Sequence, residues 1–98
     1  MDASRECLDL ASSVKRLINS IDPTAKVYLF GSTVRGRHVP FSDIDILVIT
    51  SKIDKKYDMI VKVYKEIQAP VELHVITNDL YEKWYKRFIP AEELIEIS

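Results

Sequence analysis

The sequence predicts an α/β (α+β) fold: a three-stranded mixed sheet flanked by helices, in the order helix, strand, turn, strand, helix, strand, helix. Three observations lead there. Apolar residues recur at three- and four-residue steps in separate stretches, the period of helices with one buried face. Between them lie short β-branched runs bounded by Gly, Pro and polar residues. The connections differ in length: barely a dozen residues, with two Gly and a Pro, separate Phe30 from Asp43. A full helical pattern separates the second strand from the third. A parallel crossover takes a dozen or more residues, so strands one and two are expected to be antiparallel. Strands two and three are expected to form a right-handed parallel crossover, with strand two in the middle. At 98 residues, 47% of them hydrophobic, residues 1–98 are expected to form one domain.

Taken in order, Cys7, Leu10, Ala11, Val14, Leu17, Ile18 and Ile21 make the stripe of a first helix that must end before Pro23. Lys26-Val27-Tyr28-Leu29-Phe30 reads as a short buried strand that stops at Gly31. Asp43-Ile44-Asp45-Ile46 alternates and then becomes wholly apolar through Leu47-Val48-Ile49, a central strand with a polar mouth. Ser51 and Asp54 form a capping pattern for a second helix, whose stripe is Ile53, Tyr57, Ile60, Val61, Tyr64 and Ile67. Pro70 closes it, and Val71-Glu72-Leu73-His74-Val75-Ile76 forms the third strand. A last helix begins near Thr77 or Asn78, with Tyr81, Trp84, Tyr85 and Phe88 expected to fill core rather than stack a base. The tail from Pro90 to Ile97 mixes apolar and acidic residues and is expected to dock on a partner or a second subunit.

Charge excludes several classes. Fourteen Lys and Arg against fifteen Asp and Glu leave a net charge of -1, so no whole-molecule field favours nucleic acid or an anionic membrane. Lys52, Lys55, Lys56, Lys62 and Lys65 are interspersed with acids and read as a solvated helix face. The longest apolar run, Ile46 to Ile49, is far too short for a membrane span, and Met1 to Arg5 opens no signal-peptide core. Cys7 is the single cysteine and has no metal-spaced companions. A reducing cytoplasm is the expected location.

The chemistry gathers at one sheet end. Asp43 and Asp45 stand two apart on a strand and therefore leave the same face. Glu72, on the adjoining parallel strand, adds a third carboxylate, and three like charges at one mouth repel one another unless a cation neutralises them. All-oxygen ligation favours Mg²⁺ or Mn²⁺. Just before the pair, Gly31-Ser32 leads into a helical turn at Thr33-Val34-Arg35, whose backbone amides would receive a phosphate. Arg35 serves either that phosphate or a structural ion pair. Gly31 and Gly36 stand at P-loop spacing, but Arg37-His38 replaces the required Lys-Ser/Thr, which excludes a P-loop. His74 shares the face of Glu72 and is read as a hydrogen-bonded structural residue, not a catalytic one.

Gly31-Ser32-Thr33-Val34-Arg35-Gly36, five residues, then Ser42-Asp43-Ile44-Asp45-Ile46 resembles the signature of the DNA polymerase β-like nucleotidyltransferases, and within them the minimal nucleotidyltransferases. The resemblance implies that fold and transfer of a nucleoside monophosphate, AMP from ATP, to a hydroxyl. It implies that Gly31 and Ser32 hold the triphosphate. Asp43 and Asp45 would bind two Mg²⁺, with Glu72 as the third acid where the family usually has Asp. It further implies a small helical partner of the HEPN type, with this chain as antitoxin and a partner tyrosine or an RNA end as acceptor. The alternative is a non-catalytic module that neutralises such a partner by contact. The role of His38 stays open.

Overall fold

The computed structural model of the protein describes residues 5–31 and 44–98. Ser32, Arg35, His38, Asp43 and the turn expected at Thr33 to Arg35 lie outside the described residues. Helix α1 spans Arg5–Ile21, strand β1 Lys26–Phe30 and strand β2 Ile44–Ile49. A 3₁₀ turn at Ile53–Lys55 leads into α2, Lys56–Glu66, and β3 covers Val71–Ile76. The final helical run over 78–88, called α3, starts as an α-turn at Asn78–Leu80, widens to a π-turn at Tyr81–Tyr85 and closes with an α-turn at Lys86–Phe88. Thr77 caps it by accepting a 3.2 Å hydrogen bond from the Leu80 amide. After a 3₁₀ turn at Ala91–Glu93 comes β4, Leu94–Ile97.

The sheet is mixed, but among the described residues it has four strands in the order β3-β2-β1-β4, not three. β1 runs antiparallel to β2, with Val27 opposite Val48 and Leu29 opposite Ile46, and β2 runs parallel to β3, with Asp45 opposite Glu72. The tail expected to seek a partner instead pairs antiparallel with the other edge of β1, Val27 opposite Ile97 and Phe30 opposite Leu94. Ile97 is buried there, so the apolar half of the tail is consumed inside the chain. An open row of β1 amides and carbonyls recruits a four-residue segment with three apolar side chains.

Two cores lie on opposite faces of the sheet. Ala11, Val14 and Ile18 of α1 and Met59 and Val63 of α2 pack with Val27, Leu29, Ile46 and Val48. On the other face Leu47, Ile49 and Ile76 are covered by Tyr28, Phe30, Tyr81, Tyr85 and Ile89. The stripe expected for α1 is therefore the buried one. That of α2 is corrected: Met59 and Val63 are buried and Ile60 and Ile67 pack beside them, while Ile53, Tyr57, Val61 and Tyr64 are exposed. The two sets interleave within three residues, so period alone did not choose between them. The Ser51–Asp54 cap is not made; the Thr50 hydroxyl accepts from the Lys52 amide at 2.9 Å, and the α2 N-terminus has no side-chain cap.

At the far end of the sheet, where β2 finishes, Asp22 is fully buried. Its carboxylate accepts from the Thr24 amide at 3.1 Å, the Thr24 hydroxyl at 2.8 Å and the Thr50 hydroxyl at 2.5 Å. This fastens the α1–β1 turn to the end of β2. The Thr50 hydrogen bond, followed by those from Thr24, holds the Asp22 carboxyl below its ordinary value although burial works the other way. Among the described residues, no helix is long and apolar enough to cross a membrane.

Candidate metal centre

The opposite end of the sheet is built from the exit of β1 and the entrances of β2 and β3. Alternation along β2 sends Ile44 and Ile46 into the α1–α2 core and leaves Asp45 on the other face. Glu72 lies directly beside Asp45 in the parallel register, with His74 one pleat further along the same face of β3. Asp45 and Glu72, placed near each other by sequence reasoning, are thus brought together. Gly31 joins them: it adopts φ 79°, and a Cβ built there would stand 3.1 Å from Asp45 Oδ2. Only a residue without a side chain combines that left-handed backbone with so close an approach to a carboxylate. Among the expected site residues, Ser32, Arg35 and Asp43 lie outside the described residues.

His74, read from sequence as a structural residue, turns its Nε2 to within 3.7 Å of Asp45 Oδ1 and 3.6 Å of Glu72 Oε1. These distances exceed a hydrogen bond, and among the described residues the buried Nε2 has no hydrogen-bond partner. Its ring is wedged edge-on against Phe30, with centroids 5.3 Å apart, and faces Tyr85 at 6.5 Å. The two-residue step from Glu72 already puts both side chains on one face; the closeness of Asp45 comes from the parallel pairing of β2 with β3.

One donor atom from each of Asp45, Glu72 and His74 lies within 4.8 Å of the other two. Two ligands about 2.1 Å from one small cation stand at most about 4.2 Å apart, so slight closure would let the three share an ion. Two carboxylates with a solvent-side opening suit a hard divalent cation, and the orphaned imidazole nitrogen gives the set a borderline donor that sequence reasoning did not include. The donors present therefore fit a metal. A cleft of about 600 Å³ lies instead at the far end beside Thr24, Lys26 and Thr50, with Glu82 as the carboxylate among its described lining residues. Size does not locate the acids.

A family model for a nucleotidyltransferase domain matches residues 11–97. Two crystal structures share the fold. A candidate nucleotidyltransferase, 25% identical, gives a TM-score of 0.68 and covers 88% of this chain and 95% of its own. Another, from Sulfolobus solfataricus, is 30% identical, gives a TM-score of 0.60 and covers 80% of this chain and 73% of its own. No curated protein matches the chain significantly.

Proposed function

The chain belongs to the nucleotidyltransferase domain family, and on that premise we propose that it is a Mg²⁺-dependent enzyme moving AMP from ATP onto a hydroxyl acceptor. The observation that carries this reading is the row formed by Gly31, Asp45 and Glu72 across three neighbouring chain segments at one sheet end. Two bound Mg²⁺ would acidify the attacking hydroxyl and neutralise triphosphate charge. Asp45 and Glu72 are the described residues that would hold them, joined by Asp43. Gly31 brings its backbone close to the Asp45 carboxylate and, lacking a side chain, would let a phosphate approach that backbone.

The acceptor oxygen bonds to the α-phosphorus as the bond from that phosphorus to the bridging oxygen breaks in line. Pyrophosphate leaves with the electron pair. Glu72 or Asp45 would take the acceptor proton; the 54% exposure of the Glu72 side chain, against 27% for Asp45, supports Glu72 as the one that passes it to solvent. Incubation with Mg²⁺ and ATP labelled at the α-phosphate tests this: wild type transfers label and Asp45→Asn does not. Wild-type protein that transfers nothing, alone or with its co-purified partner, would overturn the reading.

The acceptor is proposed to lie on a small helical HEPN-type protein that this chain restrains as an antitoxin in the cytoplasm. Tyr57, Val61 and Tyr64 support a helical partner: they are 75%, 63% and 53% exposed and line one side of α2 at steps of four and three. The same stripe favours the second reading, a binding module that needs no chemistry. Neutralisation that survives Asp45→Asn but not Tyr57→Glu would select that reading.

A further inference from the structure

Helix α3 returns from the end of β3 across the sheet, so its last turns reach the same end as Asp45 and Glu72. There Trp84 and Phe88, expected to be core, are 56% and 66% exposed. Their rings are 5.2 Å apart and tilted by 56°, an open wedge rather than a closed stack. Together with Phe30, His74, Tyr85 and Ile89 they line a pocket of about 370 Å³. That is within the roughly 300–1,000 Å³ of small-ligand sites. Trp84 and Tyr85 belong to the π-turn at Tyr81–Tyr85, an insertion into helical geometry found frequently at functional sites.

His74 joins this pocket to the metal centre. One edge of its ring, Nε2, looks at the two carboxylates, and the ring itself packs against Phe30 and near Tyr85. His74 lines the pocket and also faces both carboxylates, so a triphosphate held there would have the pocket next to it.

We propose that this pocket is the nucleobase subsite, in which the base of the nucleoside triphosphate stacks on Trp84 and Phe88. The inference rests on the nucleotidyl-transfer reading above and adds where the base goes. The lining is mainly aromatic and aliphatic, with side-chain polar atoms on His74, Trp84 and Tyr85, so the base is held by its faces more than read at its edges. Stacking accepts any π-face and strengthens with ring area. Purine triphosphates therefore bind better than pyrimidine ones, with little distinction between adenine and guanine.

Trp84 is the single tryptophan of the chain, so its fluorescence reports on this site alone. The test titrates Mg²⁺-ATP and Mg²⁺-tripolyphosphate, a ligand with no base, against wild type, Trp84→Ala and Phe88→Ala, following emission where Trp84 is present and heat in all three. Both side chains are more than half exposed, so neither substitution removes core. The expected result is that ATP shifts Trp84 emission and tripolyphosphate binds without doing so. Each substitution is expected to weaken ATP about fivefold or more and leave tripolyphosphate unchanged. Equal ATP affinity in wild type and both variants, with Trp84 emission unmoved, overturns the subsite while the transfer reading stands. Loss of a helical partner's binding with ATP affinity intact reassigns the wedge to protein docking and also overturns it. Failure of both ligands to bind wild type removes the transfer reading, and the subsite with it.

Discussion

Asp22 and Asp45 sit at opposite ends of the same sheet, and their surroundings differ in one respect. Asp22 is sealed, and its carboxylate accepts from a backbone amide and two threonine hydroxyls. Asp45 is three-quarters covered, yet its carboxylate faces Glu72 and the bare nitrogen of His74, with no hydrogen bond among the described residues. A carboxylate that serves the fold uses its acceptors locally. One that has no such donor among the described residues and stands beside another acid keeps its acceptors for a ligand.

That contrast predicts opposite consequences for like substitutions. The largest effect is expected at the open end: Asp45→Asn lowers label transfer by about 10³-fold or more, the scale of losing a group that stabilises transition-state charge, and leaves thermal unfolding nearly unchanged. Next is His74→Ala, expected to lower activity by about 10- to 100-fold, as for a residue that tunes a metal set. The loss should be greater with Mn²⁺ than with Mg²⁺, since an imidazole donor matters more to the softer ion. Rates measured in each metal decide it, and an equal loss in both would make His74 a wall rather than a ligand.

At the closed end, Thr50→Val should destabilise the fold by about 1–3 kcal/mol in urea titrations, because Asp22 keeps its burial and loses a donor. Activity per folded molecule should hold. Acid sharpens the same point. The Asp22 carboxyl is lowered in the fold from an ordinary 3.8, so its contribution is fully present above that value and is lost as pH falls through the lowered one. Wild type should therefore lose more stability than Thr50→Val between neutral pH and about pH 3. Smallest is Gly31→Ala, where the left-handed backbone costs about 1–2 kcal/mol and the added carbon crowds Asp45. Its activity should fall further than its stability.

Much of this was readable in the residues. β1 and β3 have the limits that composition and Pro70 suggested, and the antiparallel and parallel pairings followed from connection length. The proximity of Glu72 to Asp45 followed from those pairings. What escaped depends on tertiary competition. β4 is four residues whose only reason to be a strand is the open edge of β1. The wrong side of α2 was chosen because Tyr57, Val61 and Tyr64 keep helical period as well as Met59 and Val63 do. Trp84 and Phe88 looked like core because aromatics at helical spacing usually are; Tyr81 and Tyr85, one step round the helix, took that place. His74 is expected to be hydrogen-bonded, yet among the described residues its Nε2 has no such partner and stands near carboxylates on its own strand and the next, which no local window displays.

The strand order leaves the two acids on unequal footing. β2 is bonded on both sides, by β1 and by β3, and the ladder with β3 is extended by Ile44 N–H to Pro70 at 2.7 Å and by Thr50 N–H to Ile76 at 2.9 Å. β3 has β2 on one side and, among the described residues, no further strand on the other. In deuterated buffer the β2 amides should be among the slowest to exchange, and the outward amides of β3 should go early. Glu72 is thus carried on the strand freer to breathe, and a shift of that strand would change the spacing of the pair without disturbing the strand that bears Asp45.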